Sequence, residues 1–383
     1  MLNMENLVSN ATFTATSAVS SSSSTSIRWS QLISLTLLSA SIAISWVAYH
    51  NFQAPLLEKF GFQHLNRFVL IVQAIVLLVI PPLAGALGDR YRKKGRSNLP
   101  VVMAGIGIVA MIFMSVATTI AISPEGVFRW LFPILVTLWL IAMNIFHAPA
   151  IAGLEDMVSA EKMPIAVGLL TLVTDLAYSL EPIIVPIAQT VGAPITFAAG
   201  GILILLSGIL YRNKMGSLYT GSAKDSNNII THQTVSRSGF VMVFVNGVLL
   251  GICMAFIQDI LPNLQIAQRA IVGGDQLAAA ILAMAAVLAF FAGRVAVSFG
   301  WQKSFIPIIC VALLLTFVFF VTIPEWLFAL VMGMFIVTLA FASVTALPSS
   351  FARLRPEHKA MGIGLFLAGS ELMASLIRLG FFN

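Results

Sequence analysis

The sequence predicts an all-α membrane protein, and three observations carry that prediction. Of the 383 residues, 59% are hydrophobic and only 9% are charged, where a soluble domain carries about 25% charged residues. Mean hydropathy is +0.97. The apolar residues also fall in long runs rather than short alternating ones. A chain this apolar cannot cover itself with polar surface, so lipid is its solvent. Inside hydrocarbon the backbone must satisfy its own hydrogen bonds, which leaves helices or closed barrels. Long runs of Leu, Ala, Gly and Met argue for helices, because barrel strands are segments of about 10 residues with alternating polarity.

Residues 1–27 are rich in Ser and Thr and contain no Lys or Arg. They lack the basic start and apolar core of a secretory signal, so a disordered cytoplasmic tail is expected. Crossing a core of roughly 30 Å takes about 20 apolar residues. Eleven segments qualify, near 31–57, 65–88, 99–122, 128–153, 163–190, 193–211, 239–263, 273–299, 303–323, 325–350 and 357–381. The first directs insertion. The longest polar interruption, 212–238, carries Arg212, Asn213, Lys214 and Asn227-Asn228. It reads as a cytoplasmic linker between a six-helix bundle (28–211) and a five-helix bundle (239–383).

Internal repetition supports that division. Ala48-Tyr49 followed by Pro55 recurs as Ala255-Phe256 followed by Pro262, and Gly85 and Arg92 fall opposite Gly293 and Gly300. Best of all, Glu161, Gly168, Leu169, Asp175 and Leu176 align without gaps on Glu357, Gly364, Leu365, Glu371 and Leu372. Each match pairs a segment with the one six further along. Two parallel repeats about an axis along the membrane normal have this signature. A twelfth segment would complete the second repeat, and with eleven the carboxyl terminus is expected outside.

The net charge of +6 reports orientation. With the amino terminus inside, all but five of the 21 Lys and Arg residues fall on the inner face; Lys59, Arg67, Arg129, Arg269 and Arg378 are the exceptions. That is the positive-inside pattern, so no nucleic-acid partner is expected. Cys253 and Cys310 lie within apolar segments and read as buried free thiols. The chain has no nucleotide-binding Gly-x-x-x-x-Gly-Lys loop, no metal-ligand spacing and no nucleophile constellation, so neither an enzyme nor a cofactor is expected.

Residues 85–96 read Gly-Ala-Leu-Gly-Asp-Arg-Tyr-Arg-Lys-Lys-Gly-Arg. So charged a run cannot lie in hydrocarbon and forms a short cytoplasmic loop. A Gly-x-x-x-Asp-Arg loop after the second of many spans resembles the signature of the major facilitator superfamily of secondary transporters. Gly85, Leu87, Asp89 and Arg90 match it, whereas Arg92 replaces a second glycine. The resemblance implies a two-bundle fold in which Gly85 lets segment 2 approach segment 11. Asp89 would face the amino-terminal end of segment 11, where helix N–H groups favour an anion. Arg90 would pair with Glu155 or Asp156. These contacts would latch the cytoplasmic side and hold an outward-facing state. Residues 54–61, Ala-Pro-Leu-Leu-Glu-Lys-Phe-Gly, further resemble the glycoside–cation symporter branch. The acids which that branch uses on its second and fourth helices have no counterpart here, so sugar and sodium are not implied.

Polar groups at membrane depth are few. Asp175 and Glu371 lie near the middle of segments 5 and 11. An ionised acid there costs on the order of 2.5–3.5 kcal/mol on insertion scales. Such a group faces a cavity, meets a partner or holds a proton, so both are candidate proton- or ion-coupling residues. At 100° per residue Tyr178 shares the face of Asp175. By resemblance, segments 1, 4, 7 and 10 line a central cavity. Its candidate residues are Tyr49, His50, Asn51, Gln53, Asn144, His147, Tyr178, Asn246, Gln258 and Asp259, with a solvated surface acid as the plainer reading of Asp259.

With no cluster of Arg or Lys, that cavity suits a neutral or amphipathic small molecule. The expected protein is a monomeric, multi-pass plasma-membrane transporter that moves a small organic solute by alternating access, coupled to a proton or another cation. Competing readings are a proton-driven exporter of hydrophobic compounds and a non-transporting relative acting as a receptor or membrane assembly factor.

Overall fold

The computed structural model describes residues 26–94, 97–221, 237–264, 273–321 and 324–380. The expected tail therefore lies outside the described residues up to position 25. Each expected segment contains a helix: α1 (Trp29–Lys59), α2 (Asn66–Lys93), α3 (Leu99–Ile122), α4 (Leu131–Ala152), α5 in two pieces, α6 (Ala193–Gly221), α7 (Arg237–Ala255), α8 (Gly274–Phe299), α9 (Phe305–Val318), α10 (Glu325–Phe351) and α11 (Lys359–Arg378). The pieces of α5 are α5a (Met163–Ser179) and α5b (Glu181–Val191). Among the described residues nine helices are long and apolar enough to cross a membrane, and the bent α5 pair makes a tenth. Large apolar side chains such as Phe68, Leu83, Met111, Leu206 and Leu314 point outward, as lipid requires and water would penalise.

Four expectations need correction. Segment 5 is not one rod: it bends by 53° at Leu180. Pro182 has no N–H to give the Tyr178 carbonyl and its ring crowds that carbonyl, so the helix breaks and restarts with proline in its first turn. Segment 9 is helical over only 14 residues. Segment 6 does not stop at 211, ahead of the linker: α6 continues to Gly221. Tyr211 and Met215 are buried, the Tyr211 hydroxyl donates to the Ala150 carbonyl at 3.4 Å, and α6 packs along α3 and α1, so tertiary contacts carry the helix past its apolar run. Positions 222–236 of that linker lie outside the described residues. Finally, Cys253 is buried but Cys310 is exposed on the outer face of α9.

Two close helix pairs join the chain's early and late segments. A β-carbon at Gly85 would overlap the Ala360 carbonyl, and one at Gly364 would overlap that of Pro81, so α2 and α11 meet backbone to backbone. Gly293 of α8 sits less tightly but still too close for a β-carbon on the Pro164 carbonyl, and Gly168 of α5a on that of Ala289. Gly85 and Gly293 hold equivalent places in the sequence repeat, as do Gly364 and Gly168. The same small residues therefore make the same contact twice.

Candidate functional site

At the end of the bundle carrying Arg90, Arg92 and Lys93, several contacts tie α11 to α2 and α4. His358, the residue before α11, gives that helix no side-chain cap. Asp89 supplies one from another helix: its carboxylate, only 3% exposed, accepts from the backbone N–H of Ala360 at 3.0 Å and Met361 at 2.9 Å. These are two of the donors that a helix start leaves unpaired. Beside them Lys359 pairs with Glu155, and Arg92 pairs with Asp156 at 3.2 Å and approaches Glu155 at 4.0 Å.

The expected role of Arg90 passes to Arg92. Because α2 stays helical through Lys93, Arg92 lies three residues from Asp89 on the same face, while Arg90 turns outward and is exposed. Asn246, expected in the cavity, instead donates to the Ser350 hydroxyl at 3.1 Å, joining α7 to α10 out of reach of the cavity.

A cavity of about 670 Å³ opens between the helices, within the range of small-molecule sites. It takes His50 and Gln53 from α1, Asn144 and His147 from α4, Asp175 and Tyr178 from α5a, and Glu371 from α11. Gln258 and Asp259 join it from a π-helical turn, Phe256–Ile260, that extends α7. Pro262 lies four residues beyond Gln258 and cannot bond its carbonyl, which unwinds the helix there and turns both side chains inward.

Two other candidates fall elsewhere. Tyr49 is buried against Trp139, ring centroids 4.5 Å apart, because its flat ring packs into the first bundle. Asn51 donates to Glu181 at 3.1 Å and to the Val47 carbonyl, which turns it toward a smaller neighbouring cavity beside α5b.

Neither Asp175 nor Glu371 has a cation within 4 Å among the described residues. Asp175 is 9% exposed, and its hydrogen-bond donor is the Thr174 hydroxyl at 3.5 Å. Asp259, by contrast, is not the solvated acid expected: it accepts from Arg378 Nε at 3.2 Å. Arg378 also donates to His50 Nε2 at 3.1 Å, and the Gln73 amide lies 3.3 Å from the same nitrogen. A guanidinium can only donate, so Nε2 accepts and the ring proton sits on Nδ1. This network joins α1, α2, the π-turn and α11 at the opposite end from Asp89.

Sequence reasoning overlooked Trp46 and Gln73, which both line the cavity. Gln73 could have been found, since it is a lone amide in an otherwise apolar stretch and carries the same burial cost argument as the acids.

Residues 32–377 match the family model of the Major Facilitator Superfamily. The chain belongs to that superfamily. Solved structures agree in fold. The human organic anion transporter MFSD10 (TETRAN) is 13% identical, covers 92% of each chain and has a TM-score of 0.69. A bacterial homologue of the iron transporter ferroportin in an outward-facing state is 14% identical, with 92% of this chain and 91% of that one covered and a TM-score of 0.64. The same homologue with soaked iron gives 15% identity and 0.65 over equal coverage. No curated protein matches in sequence. As a major facilitator protein the chain is a multi-pass membrane transporter, and at these identities the likeness to solved structures carries the fold alone.

Proposed function

We propose that the protein moves a small organic solute by alternating access, coupled to protons or another cation through Asp175 and Glu371. The bundles 28–211 and 239–383 would rock about the cavity, with the charged end of α2 in the cytoplasm of a plasma membrane. The observation that carries this reading is the pair of carboxyls on the cavity wall with no ion-pair partner within 4 Å among the described residues. They stand at equivalent positions of the repeated segments 161–176 and 357–372. Each can hold a proton in one state of the cycle and release it in another.

The contacts also favour opening away from the cytoplasm. The Asp89 end is tied across the bundles by two backbone bonds and by the Lys359–Glu155 ion pair. At the other end the bond crossing from α11 to α1 is Arg378 to His50.

The test begins with a panel of small solutes scored by thermal stabilisation of the purified protein. Solutes that stabilise it are then assayed in liposomes carrying a lumenal pH dye. Solute-dependent proton movement is expected, and Asp175→Asn should abolish it while the melting temperature stays within a few degrees. Undiminished proton movement in both Asp175→Asn and Glu371→Gln removes the coupling assignment.

A further inference from the structure

We propose that the cavity selects organic cations. This rests on reading the cavity as the transport site and specifies the charge class of what enters it. Four carboxylates line it (Asp175, Glu181, Asp259 and Glu371) against one Arg and no Lys among the described residues. The arginine is already committed, since Arg378 gives its Nε to Asp259 and a terminal nitrogen to His50. An incoming anion would therefore meet a guanidinium engaged twice and three further carboxylates. An incoming cation meets two carboxylates, Asp175 and Glu371, neither of them in an ion pair within 4 Å among the described residues.

Unpaired polar atoms favour the same occupant. Gln73 is 3% exposed, and with its amide nitrogen turned to His50 its oxygen lacks any donor. The second oxygen of Asp259 is likewise buried without one. Buried acceptors left unpaired cost about 1–3 kcal/mol each, and a ligand bearing donors or positive charge relieves that cost. Gln53, 5% exposed, belongs to the cavity lining, and its buried amide nitrogen has no acceptor, which suits a cation that also carries a hydroxyl, ether or carbonyl oxygen. Trp46 adds an aromatic wall, the best cation–π surface among side chains. No three His, Cys, Asp or Glu side chains converge as a metal would need among the described residues. The charge is thus matched by a dispersed, organic cation.

Tetraphenylphosphonium and tetraphenylborate have nearly the same shape and opposite charge, so they isolate the charge term. Binding of each to the purified full chain is measured by calorimetry against a protein-free micelle blank. Saturable phosphonium binding at least tenfold tighter than borate binding is expected. Glu371→Gln and Trp46→Ala should each weaken it about tenfold, with Trp46→Phe restoring most of the loss; the unliganded melting temperature should hold in Glu371→Gln and fall in Trp46→Ala, because Trp46 is buried against Tyr49 and Trp139.

Borate binding as tight as phosphonium overturns the proposal, as does phosphonium affinity unchanged in both Glu371→Gln and Asp175→Asn, or no saturable phosphonium binding. Liposome assays separate this from the transport reading. Proton movement driven by anions alone sinks the cation inference and spares the transporter. Saturable phosphonium binding with no movement of any solute does the reverse.

Discussion

Removing the Asp89 carboxylate should release the latch between α2 and α11 by a calculable amount. The group is 3% exposed and accepts two backbone N–H bonds from the uncapped start of α11. Hydrogen bonds to a charged group contribute about 1.5–3 kcal/mol each. In Asp89→Ala water can reach the freed donors once the helices part, so the lower bound of about 3 kcal/mol for the pair is the working figure. Both bonds join α2 to α11 and exist only while that end is closed, so the loss falls on the closed state. Since about 1.4 kcal/mol is tenfold in an equilibrium, the population should shift toward opening by about a hundredfold.

The assay is labelling of Ser343→Cys, a cavity position on α10, in a background with Cys253 and Cys310 replaced. A membrane-impermeant thiol reagent is applied from the Asp89 side, alongside hydrogen exchange of the first turn of α11. Labelling and exchange at Ala360 and Met361 should both accelerate at least tenfold in Asp89→Ala, and by less in Asp89→Asn, which keeps an acceptor oxygen. Unchanged rates in both variants would refute the latch.

Gly85→Leu should act on the same interface by overlap, since even a β-carbon meets the Ala360 carbonyl; labelling at Ser343→Cys from the Asp89 side should rise as it does in Asp89→Ala. Arg378→Gln and Asp259→Asn remove the two members of a half-buried ion pair; a double-mutant cycle on reversible unfolding should return a coupling of about 1–2 kcal/mol, and additivity would contradict the pairing. Trp139→Ala empties the space between Tyr49, Trp46 and Phe113 and should cost about 3–5 kcal/mol, read as a lowered melting temperature with cation binding retained.

The position of the helices along the chain was legible in the sequence, whereas direction around each helix axis was legible only in places. Run lengths and charge placement located a helix in each of the eleven expected segments, of which nine, or ten with the bent α5 pair, are long and apolar enough to cross a membrane among the described residues, because the cost of placing charge in hydrocarbon leaves little freedom. The break at Leu180 and the π-turn at Phe256–Ile260 were also written in the chain, as Pro182 and Pro262, but a proline marks a weak point without saying how far the helix yields. Direction is harder because it depends on register and neighbours.

Arg90 and Arg92 were equally basic and equally deep, and only the persistence of α2 to Lys93 decided which one meets Asp156. Tyr49 and Asn246 were assigned by their polar atoms, although Tyr49 is held by the stacking of its ring on Trp139 and Asn246 by a single hydroxyl on α10. Asp175 and Glu371 were located twice over, by depth and by the repeat. Gln73 had depth alone, and a neutral amide was allowed to pass as tolerable among apolar neighbours. Its oxygen has no donor, so in hydrocarbon it poses the same demand as the acids on a smaller scale. Holding neutral amides to the standard applied to charges would have brought it, and with it the partner of His50, into the site from the sequence alone.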